Sequence, residues 1–311
     1  MKILVSCPPM LKQIELFRKQ FEDKGVELVI PNVVQTLTED ELKELLPKMD
    51  GWIIGDDPAT EAVFEAGKKG NLKAAVKWGI GVDNVDFSAC ERLGIPIINT
   101  PNMFGEEVAS VAVGYVLGLA RNLFEIHEGV KSGNWPKPTG MSLRDKTVAL
   151  VGFGDIGKST AQFLKAMHMK IMVYDPYADK SEEEVNSFDF LEWPNKVEDA
   201  DFVVTTCALT KETKHMVNRE IIFKLKQGVK LVNVSRGGII DENALIDALK
   251  SKKVSGAALD VFETEPLPMD NPLRTFENCI FGTHNGSNTL EGVIRASNKA
   301  IEKLFSFLNI N

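Results

Sequence analysis

The sequence predicts an α/β protein built on parallel sheets, and three observations support that fold class. Short apolar runs bounded by Gly, Pro or Asp alternate with longer stretches whose apolar residues recur three and four positions apart. The first pattern is typical of buried strands and the second of helices that pack by one face. The alternation occurs in two series, separated by a long apolar helix. Strands that alternate with helices form parallel sheets with right-handed crossovers, so we expect two such units.

The first series starts at the N-terminus. Each of its strands is a short apolar run, and each helix carries one apolar face. Strands are predicted over Lys2–Ser6, Glu27–Ile30, Gly51–Ile54 and Ala74–Lys77, with helices over Leu11–Lys24, Glu39–Leu46 and Thr60–Lys69.

A long helix is predicted next, from Glu106 to about Asn122. It is apolar on nearly every side, so we expect it to be buried between domains or between subunits. Its most apolar part, Val108–Ala120, is shorter than the roughly 18–20 residues that cross a bilayer. The polar stretch Ser132–Arg144, which contains Trp and Pro, is predicted to be an excursion or arm.

The second series follows that arm. Its strands are predicted over Thr147–Val151, Lys170–Tyr174, Phe202–Thr205, Leu231–Asn233, Gly256–Leu259 and Cys279–Phe281, with a helix over Ile156–Met167. The last helix, Leu290–Leu308, is amphipathic and too isolated to form a domain, so we expect it to return to the first unit. The predicted domains are therefore residues 1–99 with 286–311, and residues 100–285.

Charge and cysteine content exclude several classes of function. A net charge of −8 leaves no basic surplus to neutralise phosphates, so nucleic acid is not an expected partner. The apolar run at the N-terminus is shorter than a signal peptide needs and is predicted to be a strand, and we expect no membrane role. The cysteines are far apart and form no CxxC pair, which favours reduced thiols in the cytoplasm and gives no sign of a metal site; they are Cys7, Cys90, Cys207 and Cys279.

A glycine-rich turn follows the strand Thr147–Val151. It reads Gly152-Phe153-Gly154-Asp155-Ile156-Gly157 and leads into a helix. Gly152 permits a tight turn, Gly154 lets the backbone approach a pyrophosphate, and Gly157 lets the helix pack closely on the strand. The start of the helix then offers unpaired N–H groups to phosphates, so the pattern predicts a dinucleotide site in a doubly wound, Rossmann-like sheet.

Asp175 lies eighteen residues after Gly157, at the end of an apolar strand. An acidic residue there accepts hydrogen bonds from the ribose hydroxyls of the adenosine, and no adjacent arginine is present to bind a 2′-phosphate. The sequence therefore favours NAD over NADP. Asp155 is an unusual residue for this turn, because its charge is unfavourable near a pyrophosphate unless it turns to solvent.

Polar residues also follow the later strands of the second series. Asn233–Gly238 contains Arg236 in a glycine turn, Asp260 ends the next strand, and His284 follows the last one. Because loops after the carboxyl ends of strands face the ligand crevice of an open α/β sheet, we expect these groups near the glycine turn. The other histidines, His127, His168 and His215, are expected to be ordinary surface or core residues.

Taken together, these motifs resemble the D-isomer-specific 2-hydroxyacid dehydrogenase family. The resemblance extends over nearly the whole chain and is closest to short D-3-phosphoglycerate dehydrogenases that lack a regulatory domain. The motifs that carry it are Gly79–Asp86, Asn99-Thr100-Pro101, Gly152–Gly157, Asn233–Asp241, Asp260–Pro266 and the His284 loop.

The resemblance implies two Rossmann-like, doubly wound domains, of which the discontinuous one binds substrate and the other binds NAD. It implies that Arg236 holds the substrate carboxylate and polarises its carbonyl, as suits a planar cation. His284 would be the acid/base for the hydroxyl proton, and Glu265 would pair with it and orient its ring. It places the carboxylate cradle at Gly79-Ile80-Gly81 and a basic residue, Lys77, beside it.

The cofactor-binding set implied in this way is larger than the glycine turn alone. It includes Asp260 on the nicotinamide side and Cys207 beside the adenine. The full set is Gly152, Phe153, Gly154, Asp155, Ile156, Gly157, Asp175, Cys207, Val234, Arg236, Asp260, His284 and Gly286.

The identity of the substrate is the least constrained inference. Asp56 and Asp57 lie in the segment Gly55–Thr60, where phosphoglycerate enzymes often carry Arg and Ser for the phosphate, and two carboxylates would repel it. The candidate enzymes are therefore a D-3-phosphoglycerate dehydrogenase and a glyoxylate or hydroxypyruvate reductase, with a dehydrogenase for formate or phosphite less favoured. The candidate from a different class is an NADH-sensing protein similar to transcriptional corepressors. A homodimer is implied by the resemblance alone.

Overall fold

The computed structural model describes residues 1–179 and 188–310. The chain divides into two compact units. Unit 1 consists of Met1–Met103 and Asn288–Asn311, and unit 2 consists of Phe104–Ser287. The predicted divisions, after residues 99 and 285, lie slightly earlier along the chain. Each unit is a parallel sheet with helices, which confirms the predicted α/β, Rossmann-like fold class.

Unit 1 contains a five-stranded parallel sheet in the order β2-β1-β3-β4-β5. Its strands are β1 (Lys2–Val5), β2 (Glu27–Val29), β3 (Gly51–Ile54), β4 (Ala74–Lys77) and β5 (Ile97–Asn99). Its helices are α1 (Pro8–Lys12), α2 (Glu15–Glu22), α3 (Glu39–Leu45), α4 (Glu61–Lys69), α5 (Phe87–Leu93) and the last helix of the chain, α11 (Leu290–Phe307).

The last helix packs on the sheet of unit 1. Gly51 of β3 leaves room for it, because a Cβ there would press on the side chains of Leu304 and Leu308. The indole of Trp78 donates a hydrogen bond to the Ser297 hydroxyl at 3.1 Å. These contacts bury the apolar face of α11, which explains why its amphipathic pattern could not form a domain by itself.

The predicted helix Leu11–Lys24 is wrong in detail, because the structure has two helices there. The first begins earlier, at Pro8, where proline is well tolerated because its missing N–H has no helical partner. The break comes at Gln13, whose N–H bonds only three residues back, to the Met10 carbonyl. This change of direction buries Met10 of the first helix and Phe17 of the second on the same core. The short elements α5 and β5 lie outside the predicted set.

Unit 2 contains a seven-stranded parallel sheet in the order β12-β11-β10-β9-β6-β7-β8. Its strands are β6 (Thr147–Val151), β7 (Lys170–Tyr174), β8 (Asp189–Phe190), β9 (Phe202–Thr205), β10 (Val229–Asn233), β11 (Val254–Leu259) and β12 (Cys279–Phe281). Its helices are α6 (Gly105–Arg121), α7 (Leu123–Lys131), α8 (Asp155–Ala166), α9 (Arg219–Lys224) and α10 (Glu242–Lys250).

The order of strands in unit 2 determines where a ligand can bind. The chain runs outward from β6 through β7 to β8, and then returns to β9 on the other side of β6. Ligands of open α/β sheets bind at such a reversal, outside the carboxyl ends of the strands. Gly152 follows β6 and Cys207 comes shortly after β9, so the glycine turn lies at the reversal.

Helix α6 is largely buried within unit 2, as its apolar composition predicts. In the parts of the chain that the structure describes, no single helix has the length and apolar character to cross a membrane. Helices α6 and α7 satisfy those criteria only when taken together, and they are bent by 68° relative to each other.

A buried carboxylate, Asp57, holds the strand ends of unit 1 together. Its Oδ2 accepts hydrogen bonds from the Ser6 hydroxyl at 2.5 Å and the Gly55 N–H at 3.0 Å. Its Oδ1 accepts from the Leu37 N–H at 2.8 Å. Asp57 is fully buried, so it cannot repel a substrate phosphate as its position in the segment Gly55–Thr60 predicts. That expectation is wrong for Asp57 because its side chain turns into the core, where three donors satisfy it.

Replacing Asp57 with asparagine should lower the free energy of unfolding by about 2–4 kcal/mol, because an amide has one acceptor oxygen where three donors converge. Burial raises the pKa of the Asp57 carboxyl, although the Ser6, Leu37 and Gly55 donors oppose the shift. Between its unfolded and folded pKa values the folded state therefore binds more protons, and the stability from this group falls as pH rises through that window. The stability lost in the variant should be larger at the acid end of the window than above it.

Urea unfolding at several pH values measures both effects. The matched control is Asp23→Asn, an exposed carboxylate of the same unit, which should change stability by less than about 0.5 kcal/mol. Equal stability of wild type and the Asp57 variant at every pH would contradict the structural role of this carboxylate.

Candidate active site

The glycine turn of unit 2 adopts a conformation that requires glycine at two positions. Gly152 has a φ of +97°, and a Cβ there would overlap the backbone of Cys207. A Cβ at Gly157 would overlap the carbonyl oxygen of Gly152. The turn is therefore tight at its start, and helix α8 packs directly against it.

The third glycine of the motif faces open space. Gly154 is the N-cap of α8, and nothing lies within 4 Å of the position that its Cβ would occupy. The backbone N–H groups at the start of α8 lie next to this space, at the positive end of the helix dipole. A cradle of this shape and polarity fits the pyrophosphate of a dinucleotide.

The side chain of Asp155 turns toward the start of α6 rather than toward solvent. Its carboxyl group lies against Gly105, where a Cβ would overlap it. Gly105 is the first residue of α6, so the negative charge lies at the positive end of that helix dipole. This placement accounts for the acidic residue in the glycine turn.

Asp175 follows β7 and contacts the glycine turn. Its Oδ2 accepts a hydrogen bond from the Phe153 N–H at 2.7 Å, and its Oδ1 accepts from the Tyr177 N–H at 2.8 Å. Each carboxylate oxygen can accept more than one hydrogen bond, so Asp175 can hold the turn and still accept from ribose hydroxyls.

Cys207 and Val234 complete this part of unit 2. Cys207 lies against Gly152, and Val234 is buried after β10. Burial raises the pKa of the Cys207 thiol to about 11, so it is protonated near neutral pH and acts as a small apolar side chain.

Three residues that are distant in the sequence come together at the carboxyl end of the same sheet. The imidazole Nδ1 of His284 lies 2.8 Å from Oε2 of Glu265. Its Nε2 lies 3.4 Å from a guanidinium nitrogen of Arg236. The structure therefore brings together the three residues for which the sequence predicts catalytic roles.

The partners of His284 determine its tautomer. An ionised carboxylate only accepts hydrogen bonds, so Nδ1 carries the proton that is shared with Glu265. A guanidinium only donates, so Nε2 of the neutral ring is the acceptor on the side of Arg236. Nε2 is therefore the ring atom that can take up or release a proton, and Nδ1 fixes the orientation of the ring.

Both partners of His284 are anchored by backbone contacts. Oε1 of Glu265 accepts a hydrogen bond from the Phe262 N–H at 2.9 Å, and the guanidinium of Arg236 donates to the Ser235 carbonyl at 2.8 Å. Gly237 lies so close to Phe262 that a Cβ would overlap its carbonyl group. The loops that carry Arg236 and Glu265 therefore support each other directly.

Asp260 holds the loop that carries His284. Its Oδ2 accepts from the Gly286 N–H at 2.8 Å and its Oδ1 from the Asn285 N–H at 3.2 Å. Its carbonyl accepts from the His284 N–H at 2.6 Å, and His284 itself has a left-handed φ of 53°. The family resemblance predicts for Asp260 only a place on the nicotinamide side. The sequence gives no signal for the hydrogen bonds between Asp260 and the His284 loop, because they connect residues that follow two neighbouring strands.

His215, for which the sequence indicates no role, makes a side-chain hydrogen bond near this cluster. The ring Nε2 of His215 lies 3.0 Å from Oε1 of Glu263. Its backbone N–H donates a hydrogen bond to the Gly238 carbonyl at 2.8 Å. The residue therefore joins the loop after Arg236 to the loop before Glu265. The only sequence signal for it is a histidine in a polar loop, which is common in proteins.

In unit 1, Lys77 is buried and its charge is neutralised. Its side chain is 3% exposed, and Nζ donates to the Gly55 carbonyl at 2.5 Å and to Oδ1 of Asp56 at 3.0 Å. Asn84 also donates to the Gly55 carbonyl, at 3.2 Å. These contacts direct Lys77 toward the segment that contains Asp56 and Asp57.

The loop Gly79-Ile80-Gly81 follows β4 in unit 1. The Gly79 N–H donates to the Thr100 hydroxyl at 2.7 Å, so this amide is already used within the unit. Ile80 is 40% exposed. The backbone amides of the predicted cradle that remain as candidate donors to an anionic ligand are therefore those of Ile80 and Gly81.

Comparison with known proteins identifies the family. The family model for the NAD binding domain of the D-isomer specific 2-hydroxyacid dehydrogenases matches residues 113–286. The chain is 37% identical to the hydroxypyruvate reductase of Thermotoga maritima over 280 residues, which cover 88% of this chain and 90% of the relative. It is also 37% identical to the D-3-phosphoglycerate dehydrogenase of Methanocaldococcus jannaschii over 307 residues, which cover 97% of this chain but 56% of the relative.

Solved structures agree with this assignment. The TT0316 protein of Thermus thermophilus matches with a TM-score of 0.88 at 28% identity, over 99% of this chain and 97% of that one. The NAD-dependent formate dehydrogenase of Staphylococcus aureus, solved with NAD, matches with a TM-score of 0.87 at 28% identity, over 99% of this chain and 96% of that one. The chain therefore belongs to the D-isomer specific 2-hydroxyacid dehydrogenase family, and it is an NAD-dependent oxidoreductase that acts on a CH–OH group.

Proposed function

We propose that His284, Glu265 and Arg236 carry out the acid/base and substrate-orienting steps of 2-keto acid reduction. The observation that supports this is the imidazole held between a carboxylate at Nδ1 and a guanidinium at Nε2. Arg236 binds the substrate carboxylate and polarises the carbonyl. When bound, NADH would supply the hydride that C2 receives. For reduction His284 starts as the imidazolium, donates its Nε2 proton to the carbonyl oxygen and becomes neutral, and the neutral ring takes a proton back at Nε2 when the hydroxy acid is oxidised.

The residues proposed to hold NAD are those predicted from the sequence. Gly152, Gly154 and Gly157 form the cradle for the pyrophosphate; Gly152 and Gly157 allow the tight turn, and the open space at Gly154 fits the pyrophosphate. Asp175 accepts from the adenosine ribose, and Asp260 faces the nicotinamide side. The others of the set are Phe153, Asp155, Ile156, Cys207, Val234, Arg236, His284 and Gly286.

In unit 1 we propose that the amides of Ile80 and Gly81 bind the substrate, while Lys77 positions the neighbouring loop. Two hydrogen bonds from Lys77 Nζ hold the segment that begins at Gly55. Two further bonds from Asn84 connect that segment to the loop after β4. Lys77 therefore acts on the substrate loop through its neighbours.

We infer that the substrate is a small, unphosphorylated 2-keto acid of the hydroxypyruvate and glyoxylate class. The segments 6–10, 30–37, 55–60, 78–86 and 100–104, which follow the strands of unit 1, contain no Lys or Arg. The lysine at the end of β4 is neutralised by Asp56, and the guanidinium of Arg295 donates to the Met103 carbonyl. Proteins recognise phosphate mainly with Arg and Lys, so these segments are poorly suited to a phosphorylated substrate.

A substrate panel tests this inference. Purified protein with NADH should reduce hydroxypyruvate or glyoxylate with a kcat/KM at least about tenfold higher than that for phosphohydroxypyruvate. The oxidation of NADH is followed by its absorbance. Preference for the phosphorylated acid would overturn the substrate class, and no turnover of any 2-keto acid despite measured NADH binding would overturn the proposed roles of the site residues.

We also propose a homodimer in the cytoplasm. None of the residues of α7, which lies entirely in the described part of the chain, is buried. Its neighbourhood exposes large apolar side chains of Leu123, Phe124, Val130 and Trp135, the last of which is 77% exposed. An apolar surface of this kind favours a protein interface.

Light scattering tests the dimer. Wild type should have about twice the 34.4 kDa mass of one chain, whereas Phe124→Asp with Trp135→Glu should lower the mass toward that of one chain. A wild-type mass of one chain would contradict the proposal. The free cysteines support the reducing compartment.

A further inference from the structure

Tyr115 of α6 contacts the carboxylate that holds the His284 loop. Its hydroxyl donates to Oδ1 of Asp260 at 3.4 Å, a long hydrogen bond within unit 2. Asp260 is 3% exposed, so water has little access to its carboxylate. Donors from the protein must therefore satisfy it. Neither the family motifs nor the sequence patterns single out this tyrosine.

Gly282 provides the space in which the two side chains meet. Gly282 directly follows β12, and its backbone N–H donates a hydrogen bond to the Leu259 carbonyl at 2.8 Å. A Cβ at Gly282 would overlap both the carboxyl group of Asp260 and the hydroxyl of Tyr115. The glycine is therefore needed for space, and the space it leaves is filled by the phenol and the carboxylate.

The phenol is a permanent donor in this environment. Burial raises the pKa of Tyr115, and the negative charge of Asp260 raises it further. The hydroxyl therefore keeps its proton at any pH at which the protein is assayed. The Asp260 carboxylate in turn accepts hydrogen bonds from the backbone N–H groups of Asn285 and Gly286, which follow His284 in the chain.

From this chain of contacts we propose that Tyr115 is a positioning residue for His284 and acts through Asp260. The phenol fixes the Asp260 carboxylate, the carboxylate fixes the two amides, and the amides fix the imidazole. The inference rests on the proposed acid/base role of His284. Removal of the Tyr115 hydroxyl leaves Oδ1 of Asp260 with one fewer hydrogen-bond donor. The carboxylate can then rotate, and its hydrogen bonds to the amides of the His284 loop weaken.

The test compares Tyr115→Phe with Tyr174→Phe. Tyr174 is a suitable control because its buried hydroxyl also donates one hydrogen bond within unit 2, to the Asn195 carbonyl at 2.8 Å. For Tyr115→Phe we expect kcat to fall about 5- to 20-fold with little change in the KM of the 2-keto acid, because ground-state binding rests on other groups. Hydrogen exchange of the peptide 279–289 should become faster in this variant and not in the control.

Exchange is measured without turnover, so the two hypotheses can fail separately. An inactive wild type would overturn the role of His284, while exchange would still report whether Tyr115 holds the loop. The proposal is overturned if neither kcat nor exchange changes, or if kcat falls without faster exchange at 279–289. Faster exchange throughout unit 2 would also overturn it, since that result indicates a general packing role.

Discussion

Replacement of His284 with asparagine should lower kcat for 2-keto acid reduction by about 10²–10⁴-fold, the usual contribution of a positioned acid/base. The substitution removes the Nε2 proton that is delivered to the carbonyl oxygen. Asparagine tolerates the left-handed φ of 53° at this position, so the backbone of the loop is preserved. NADH binding should change much less than kcat, because His284 is one member of a large cofactor-binding set whose glycine turn and Asp175 lie at the ends of other strands.

His168→Asn is the matched control for this variant. His168 also has a left-handed φ, of 61°, and it is exposed after α8. Its replacement should leave kcat near the wild-type value. Steady-state kinetics and NADH fluorescence measure the two properties. A His284→Asn variant that retained most of the wild-type kcat would show that the proton comes from another group.

Replacement of Arg236 with alanine should lower kcat/KM by about 10²–10³-fold, because two charge-assisted hydrogen bonds to a carboxylate contribute about 3–4 kcal/mol. Guanidinium at millimolar concentration should restore part of the activity, since it can supply the same planar donors. The loss should be much smaller for a 2-keto ester than for the acid, because the ester lacks the charge that Arg236 binds.

Arg219→Ala is the control for this second variant. Arg219 pairs with Asp247 on an exposed surface of the same unit, where an ion pair contributes little. Its replacement should leave kcat/KM near wild type and should not respond to guanidinium. Equal losses for acid and ester in the Arg236 variant would contradict the assignment of the carboxylate to this residue.

Much of the fold could be predicted because its signals are local. A buried parallel strand is an uninterrupted apolar run, and β6, β7 and β9 occur at the predicted residues. The glycine turn is also recognisable locally, since its three glycines directly follow β6 and lead into α8. The break in the predicted helix Leu11–Lys24 depends instead on how two short helices share one core.

The candidate site was predictable only as a set of residues. The positions of Arg236, Glu265 and His284 after strands predicted that they would meet, and they do. The burial of Lys77 and Asp57 could not be inferred, because it depends on donors and acceptors that come from separate strands. A charge in a loop gives no local signal of whether it faces solvent or the core.

We expect the protein to transfer hydride to C2 of a 2-keto acid and to form the D isomer. Hydroxypyruvate should be incubated with the protein and NADH that carries deuterium at both C4 positions of the nicotinamide. The product should be glycerate with one deuterium at C2, all of it the D enantiomer, as measured by mass spectrometry after chiral separation. Glycerate of the L configuration, or a reduced product without deuterium at C2, would contradict it.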